Sequence, residues 1–531
     1  MTIPEYIGSQ LFNIGIRYVF GIPGGPSIPY IEAFRKAGIE FILTSNEAAA
    51  GIMADVTARL TNIPGVCHAT FGPGATNIST GVGGAFLDRS PMIVFTSEMG
   101  EKMIYRTTQM NIDHQKLFES FTKATFRLNG HNTKEVMGNA FRICQGAYPG
   151  PVHIGIPTDI SDIEIIDLED PEHTEEERSI TCNETGSIIN LLENSRTPLL
   201  AVGLTAMRLG IGNQLHRFLE KNHIPVVLTP MAKAIISEDN SCYAGVLFHS
   251  LSDYMEDLYE KTDLVIGLGY DPVEFNYESW LPDVPLIHFD LKMVDMPESI
   301  KVFQYIGPYE EWFELLSHLN SNSVVFPHAI VEGIRNEMWA VFNGFTNHFG
   351  PAAALKAIQD ELPEDAILTA DVGSHLHLIG QFWKTRGKGR LMMTNGWSGM
   401  GFGIPAALAA QLNNRDKTVA CITGDGGFLM MAGEVITAKR YNLPVIIIVF
   451  SDGELNLIKV KQSWKNLSPY GTVLYQGDLF GSDVFLGLKV IRADSYDSMR
   501  KAIIEALSVN EPVIINAVID PEDYKWLIVR R

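Results

Sequence analysis

Val419-Ala420-Cys421-Ile422-Thr423-Gly424-Asp425-Gly426-Gly427 is the stretch on which the reading of this chain turns. Val419–Thr423 is short, apolar and β-branched, as a buried strand of a parallel sheet is. Glycines end it, and a helical period follows in which Met431, Val435 and Ala438 share one face. Glycines between a strand end and a helix start let backbone N–H groups approach a phosphate, and the helix dipole favours the anion. Asp425 adds a hard oxygen ligand inside the turn, and Mg²⁺ takes one or two carboxylates together with phosphate oxygens and water. A second strand, Val445–Phe450, ends at Ser451-Asp452, which puts another carboxylate 27 residues beyond Asp425. Both aspartates then lie at the carboxyl edge of one sheet, where such folds bind ligands. A GDG turn alone is common, and an aspartate after a strand is usually a cap. The pair, with strand–helix–strand between, is far more specific.

The same alternation extends outward through the chain. Strands are expected at Arg17–Phe20, Glu40–Thr44, Val66–Thr70, Met92–Thr96 and Pro151–Ile156, with helices such as Ala48–Leu60 and Lys134–Ala147 between them. A second set follows at Leu199–Val202, Val226–Thr229, Leu264–Gly267 and Leu286–Phe289. After a looser stretch around Ser321–Phe349 comes a third, at Ala366–Leu368, Val419–Ile422, Val445–Phe450 and Val513–Val518, with helices at Pro405–Leu412 and Met430–Tyr441. The expected fold is α/β: three tandem doubly wound domains with mostly parallel sheets. Their expected limits are 1–165, 186–325 and 345–531. Residues 166–185 form an acidic linker, within a stretch from Asp159 to Glu177 that holds ten acidic residues.

Composition narrows the function classes. The 531 residues are 46% hydrophobic and 19% charged, which are globular values. Acidic residues outnumber basic ones 62 to 41, and a net charge of −21 repels phosphate backbones and anionic lipid, so nucleic acid and membrane are poor partners. No apolar run reaches the ~18–20 residues of a membrane span. The N-terminus lacks the features of a signal peptide, and five scattered cysteines without a CxxC pair read as reduced. A cytoplasmic location is the expectation.

At Gly424–Gly427 with Ser451-Asp452 the chain resembles the thiamine-diphosphate-dependent decarboxylases and carboligases of the acetolactate synthase and pyruvate decarboxylase type. Their cofactor motif begins with GDG and ends some 25–30 residues later in Asn-Asn or Asn-Asp. Here Ser451-Asp452 stands in that place, a departure that keeps a metal ligand. The resemblance implies a pyrimidine-binding, a central Rossmann-like and a diphosphate-binding domain. It gives Mg²⁺ the carboxylates of Asp425 and Asp452 and the backbone carbonyl of Glu454, and the diphosphate Gly424, Gly426, Gly427, Ser374 and His375. Asn46–Asp55 looks like the segment holding the family's glutamate, which would be Glu47. Phe71-Gly72-Pro73-Gly74-Ala75-Thr76-Asn77 looks like the loop on the thiazolium side, with Gly72, Pro73 and Asn77 at the cofactor and Phe71 at the substrate. Asn395–Gly403 looks like the segment supporting the cofactor's bend, where Met400 would wedge between the rings and the Ser398 carbonyl would accept from the exocyclic amine. In such enzymes a carboxylic acid on the pyrimidine ring nitrogen drives the tautomerisation that activates the cofactor, the part implied for Glu47. The first domain of one chain faces the third of its partner, so a homodimer or homotetramer with active sites between subunits is implied.

The substrate is expected to be a small 2-oxoacid, pyruvate first, whose acyl carbanion passes to a second carbonyl. Lys461 falls where biosynthetic acetohydroxyacid synthases carry a tryptophan that selects the acceptor, and Ile458 is expected on the substrate side with it. The polar Lys461, the second-position Asp452 and the run Gly269–Phe275 are similar to flavin-independent acetolactate synthases. No GxGxxG follows a strand in the middle domain, so FAD is not expected. Gln109 looks like the glutamine that carboligases present to the reacting carbonyl, with Gln115 as its rival. His68 and His114 read as structural, and the adjacent histidine pair of pyruvate decarboxylases is missing. Two other outcomes stay open: simple decarboxylation releasing an aldehyde, and a 2-hydroxyacyl-CoA lyase type of cleavage. So does a silent homologue that binds the cofactor without turnover.

Overall fold

The computed structural model describes residues 1–165, 184–320, 324–325, 328–344, 348–386 and 389–527. The acidic linker expected at 166–185 lies outside them, apart from its last two residues, Glu184 and Thr185; a helix opens at Thr185. The chain divides into two compact units. One comprises Met1–Glu176, Gly396–Asp416 and Phe428–Val445, and the other holds the rest.

The first unit is built on a six-stranded parallel sheet. Its strands are β1 (Tyr18–Ile22), β2 (Glu40–Leu43), β3 (Gly65–Ala69), β4 (Met92–Glu98), β5 (Ala124–Arg127) and β6 (Pro151–Pro157), in the order β2-β1-β3-β4-β6-β5. β3, β4 and β6 are buried along their whole length, which is why they read as unbroken apolar runs. Helices Glu47–Thr61 and Pro73–Leu87 pack on one another, and Gly403–Asn413 packs on the first of them.

The second unit carries two sheets. β7 (Pro198–Val202), β8 (Val226–Leu228), β9 (Tyr243–Val246), β10 (Leu264–Leu268), β11 (Leu286–Asp290) and β12 (Val302–Ile306) form a parallel sheet in the order β12-β11-β10-β7-β8-β9. β13 (Ile367–Ala370), β14 (Arg390–Met392), β15 (Val419–Gly424), β16 (Ile446–Ser451), β17 (Val484–Phe485), β18 (Leu488–Ala493) and β19 (Val513–Val518) form the other, in the order β14-β13-β15-β16-β19-β18-β17. Among the named strands of the described residues, only β17 runs antiparallel, against β18. The fold is therefore α/β with mostly parallel sheets, as expected.

Two expectations need correction. Within the stretch around 321–349, expected to be loose, lies the helix His328–Phe342, whose Val331, Ile334, Met338 and Phe342 enter the core at helical spacing. The single helix expected at Met430–Tyr441 is two, Asp425–Met431 and Glu434–Arg440. At the break the ladder tightens to i→i+3 bonds, Val435 N–H to the Ala432 carbonyl at 3.4 Å and Ile436 N–H to the Gly433 carbonyl at 3.2 Å, and the Ser45 hydroxyl also donates to the Gly433 carbonyl at 2.9 Å.

Candidate active site

In the second unit the site begins at a change of strand direction. β13 lies between β14 and β15, so the chain leaves it on one side and returns on the other. Such a crossover opens a crevice between the carboxyl ends of β13 and β15. Asp371 follows β13, and its Oδ2 accepts from the Thr423 hydroxyl at 2.8 Å. Gly427 passes so close to that carboxylate that a Cβ would collide with it, so the turn requires glycine there. Helix Ser374–Phe382 starts on the other wall. The Ser374 hydroxyl and His375 Nε2 are buried with no hydrogen-bond partner, and the His375 ring faces Gly424. Burial lowers the imidazole's pKa to about 4, leaving it neutral. Buried polar atoms rarely stay unsatisfied. Two of them at this crevice fit the oxygens of a diphosphate.

β15 and β16 pair in register, Gly424 opposite Phe450, so Asp425 and Asp452 leave neighbouring strands at one edge. Asp425 Oδ1 accepts from the Gly426 N–H at 2.8 Å. Its Oδ2 accepts from the N–H groups of Asp452 at 3.2 Å and Gly453 at 2.7 Å. Burial pushes the Asp425 carboxyl up. Burial and then the Asp425 charge raise Asp452 to about 7, which the Glu454 N–H and the Asn456 side chain only partly offset. Among the described residues no lysine or arginine pairs with either carboxylate. A buried acid and a half-buried one, side by side and uncompensated, fit a hard divalent cation, which removes the repulsion between them. The Glu454 carbonyl accepts from the Asn456 N–H at 3.0 Å. Tyr475, which the sequence reading missed, donates its hydroxyl to Asp425 Oδ2 at 3.0 Å. It reaches there because Leu474 N–H bonds the Gly453 carbonyl at 2.8 Å, a pairing of distant segments with no sequence signal.

Helix Asn456–Trp464 begins just after the pair. Ile458 and Lys461, three apart and so on one face, are both exposed, whereas Lys459 is paired with Glu454.

In the first unit, Glu47 opens helix Glu47–Thr61, with the Asn46 side chain accepting from the Ala48 N–H as its cap. Asn77 Nδ2 donates to Glu47 Oε2 at 3.1 Å. Their meeting is set one turn further along. A Cβ on Gly51 would lie 2.8 Å from the Gly81 Cα, and one on Gly81 would lie 2.6 Å from the Gly51 Cα. Glu47 and Asn77 each precede one of these glycines by four residues, so the close crossing of two bare backbones brings the side chains together. Segment 45–46 is anchored by Glu434, whose Oε1 accepts from the Ser45 and Asn46 N–H groups at 2.9 Å each.

Gly72 caps helix Pro73–Leu87 at φ +65°, and a Cβ there would lie 2.9 Å from the Met110 carbonyl. Phe71 is half-buried and Pro73 exposed. Gln109 is exposed on the neighbouring turn, while Gln115 donates to Glu98 Oε1 at 2.6 Å. Ser398, at φ +53°, and Met400 lie on a segment that packs against helix Pro73–Leu87. There the Gly396 N–H donates to Asp88 Oδ1 at 2.9 Å, and the Trp397 ring lies over Gly83.

Comparisons with known proteins match three domain types in order along the chain. Residues 1–117 match the N-terminal TPP binding domain of thiamine pyrophosphate enzymes, 186–308 the central domain and 371–517 the C-terminal TPP binding domain. A probable acetolactate synthase large subunit from Methanocaldococcus jannaschii is 29% identical, over 98% of this chain and 92% of that protein. One from Methanococcus aeolicus is 28% identical, over 95% and 90%. The acetolactate synthase of Bacillus subtilis is 25% identical, over 98% and 93%. With the three domain types matched in order and relatives of one kind aligned nearly end to end, this chain belongs to the thiamine pyrophosphate enzyme family, in its acetolactate synthase-like group.

Proposed function

We propose that this enzyme decarboxylates pyruvate or a similar small 2-oxoacid and joins the acyl fragment to a second carbonyl compound. The observation that carries the reading is the pair of adjacent carboxylates, Asp425 and Asp452, beside the unsatisfied Ser374 hydroxyl and His375 Nε2. Asp425, Asp452 and the Glu454 carbonyl hold Mg²⁺, and Gly424, Gly426, Gly427, Ser374 and His375 bind the diphosphate. Thiamine diphosphate, when bound, supplies the electron sink that an acyl carbanion needs. Glu47 holds a proton at the pyrimidine ring nitrogen, and Asn77 orients that carboxyl. Gly72, Pro73, Ser398 and Met400 shape the cofactor pocket, while Phe71, Gln109 and Ile458 line the substrate side. Lys461 is free to pair a substrate carboxylate. The domains are proposed to run over 1–165, 186–325 and 345–531, in a cytoplasmic homodimer or homotetramer with active sites shared between subunits. Flavin is not part of this reading. At the switch point of the central sheet a Cβ on Gly203 would lie 2.6 Å from the Tyr270 Cα, so two backbone loops fill the crossing themselves.

The test is CO₂ release and product analysis on the purified protein with thiamine diphosphate and Mg²⁺, across a panel of 2-oxoacids and acceptors. A coupled hydroxyketone or acetohydroxyacid is expected. Free aldehyde alone would establish the simpler decarboxylase, and cleavage without CO₂ a lyase. Run on Lys461→Met, the same panel should show a raised KM for an acidic acceptor and an unchanged one for a neutral aldehyde; equal effects would remove Lys461 from the site. A visible absorption spectrum checks for flavin.

A further inference from the structure

A chain of buried polar side chains crosses the first domain beneath the Phe71–Asn77 loop. The Gly72 N–H meets His114 Nε2 at 3.3 Å. His114 Nδ1 and the Thr96 hydroxyl are 2.8 Å apart, and that hydroxyl is also 2.8 Å from His153 Nε2. His153 Nδ1 is 2.6 Å from the Thr125 hydroxyl. The Thr125 hydroxyl donates to Gln115 Oε1 at 2.7 Å, and Gln115 Nε2 donates to Glu98 Oε1 at 2.6 Å. Arg127 Nε closes the far end on Glu98 Oε2 at 2.9 Å.

The two ends fix every proton between them. A backbone N–H only donates, so His114 Nε2 must be bare, and a neutral His114 then carries its proton on Nδ1. Nδ1 donates to Thr96, Thr96 to His153 Nε2, and His153 Nδ1 to Thr125. Starting instead from the Glu98 carboxylate, which only accepts, the same assignments follow in reverse order. All the bonds point one way. The amide of Gln115 interrupts any path for a mobile proton, so the chain holds positions and does not conduct.

The surroundings are shaped around it. Gly155 stands opposite Thr96 on the neighbouring strand, and a Cβ on it would collide with the Glu98 carboxylate and come 2.8 Å from Gln115 Nε2. The Phe118 ring stacks on His153 with centroids 4.1 Å apart and planes 8° apart. Thr96 and His153 are wholly buried, and His114 is 3% exposed.

We infer that His114 is a positioning residue: a one-way hydrogen-bond chain running to Glu98 sets its tautomer, so that its bare Nε2 grips the Gly72 N–H and fixes the turn from which helix Pro73–Leu87 starts. That turn is set in a backbone conformation, φ +65° and ψ −114°, that needs an external hold. The helix it starts carries Asn77 to Glu47. The inference rests on the function proposed above, which puts that loop and Glu47 at the cofactor.

Three variants of the holoenzyme test it. His114→Gln keeps an acceptor oxygen near the place of Nε2, His114→Leu removes it, and Thr96→Val cuts the chain one link away. His114→Leu should lower kcat about tenfold, the worth of one hydrogen bond of ~1.4 kcal/mol, with KM little changed. His114→Gln should recover most of that loss. Thr96→Val should populate the Nε2–H tautomer of His114, read by solid-state NMR of histidine labelled with ¹³C and ¹⁵N, and lower kcat alongside. Equal kcat in the Leu and Gln variants would overturn the inference, as would a wild-type spectrum with the His114 proton on Nε2. The wild-type spectrum needs no turnover and no folded variant. An enzyme inactive with thiamine diphosphate would thus count against the proposed reaction, while the spectrum still judges the chain.

Discussion

At the scale of single residues, chemistry is concentrated in groups whose environment leaves them short of a partner. The Ser374 hydroxyl and His375 Nε2 are buried without one, and Asp452 shares its surroundings with a second acid. Glu47 differs, because Asn77 donates to one of its oxygens and leaves the other open to a proton. Glu47→Gln keeps the shape and removes the acid. It should cut kcat by about two to four orders of magnitude, the usual worth of a positioned acid–base group, while Mg²⁺-dependent binding of thiamine diphosphate stays within a few-fold. Fluorescence titration beside steady-state kinetics makes the comparison, and near-normal turnover would overturn the role. Spacing between two strand ends singles out Asp425 and Asp452 in the sequence, and the family resemblance singles out Glu47. Neither singles out Tyr475, because a tyrosine 50 residues beyond Asp425 acquires its meaning only when the chain folds back on Gly453.

At the scale of elements, the contact between helices Glu47–Thr61 and Pro73–Leu87 decides whether Glu47 meets Asn77. A Cβ on Gly81 would lie 2.7 Å from the Ala48 carbonyl as well as against Gly51. Gly81→Ala should therefore cost about 1–3 kcal/mol of stability by overpacking and lower kcat further by parting the two side chains. Gly84, on the same helix, has open space where a Cβ would go. Gly84→Ala should leave kcat alone and raise stability by about 0.4–1 kcal/mol. Thermal melts with kinetics on both variants check the pair, and equal behaviour would show that the crossing does not set the site. The break between helices Asp425–Met431 and Glu434–Arg440 belongs to this scale too. Apolar period predicts one helix, but the backbone switches to i→i+3 bonds at Ala432 and Gly433, where the Ser45 hydroxyl also donates to the Gly433 carbonyl.

For the whole molecule, burial of titratable groups sets the response to acid. His68, His114 and His375 are held neutral with pKa values near 4, and His288 near 3, in each case by burial. Their unfolded value is about 6.5. A histidine whose folded pKa is depressed contributes stability that is complete above 6.5 and is lost as pH falls through that value towards 4. His153 is lowered by burial as well, which makes five such imidazoles, while burial raises the carboxyls of Asp452, to about 7, and of Asp425, Glu98 and Glu434, four groups that act in the opposite sense in the metal-free protein. With the imidazoles the larger set, the melting temperature without Mg²⁺ should fall from pH 6.5 to 4, and a flat profile would show that the carboxyls cancel the rings. What the linear sequence determined was the class of fold, the strands buried on both faces and the two aspartates at one sheet edge, because hydrophobic period and glycine turns act locally along the chain. It did not show the helix His328–Phe342 or the Gly51–Gly81 crossing, and it did not show that Gln115 and His114 belong to one polar chain ending at Glu98. Those depend on which distant backbones touch, and on which donor finds which acceptor once water is excluded, and only the packed tertiary structure fixes that.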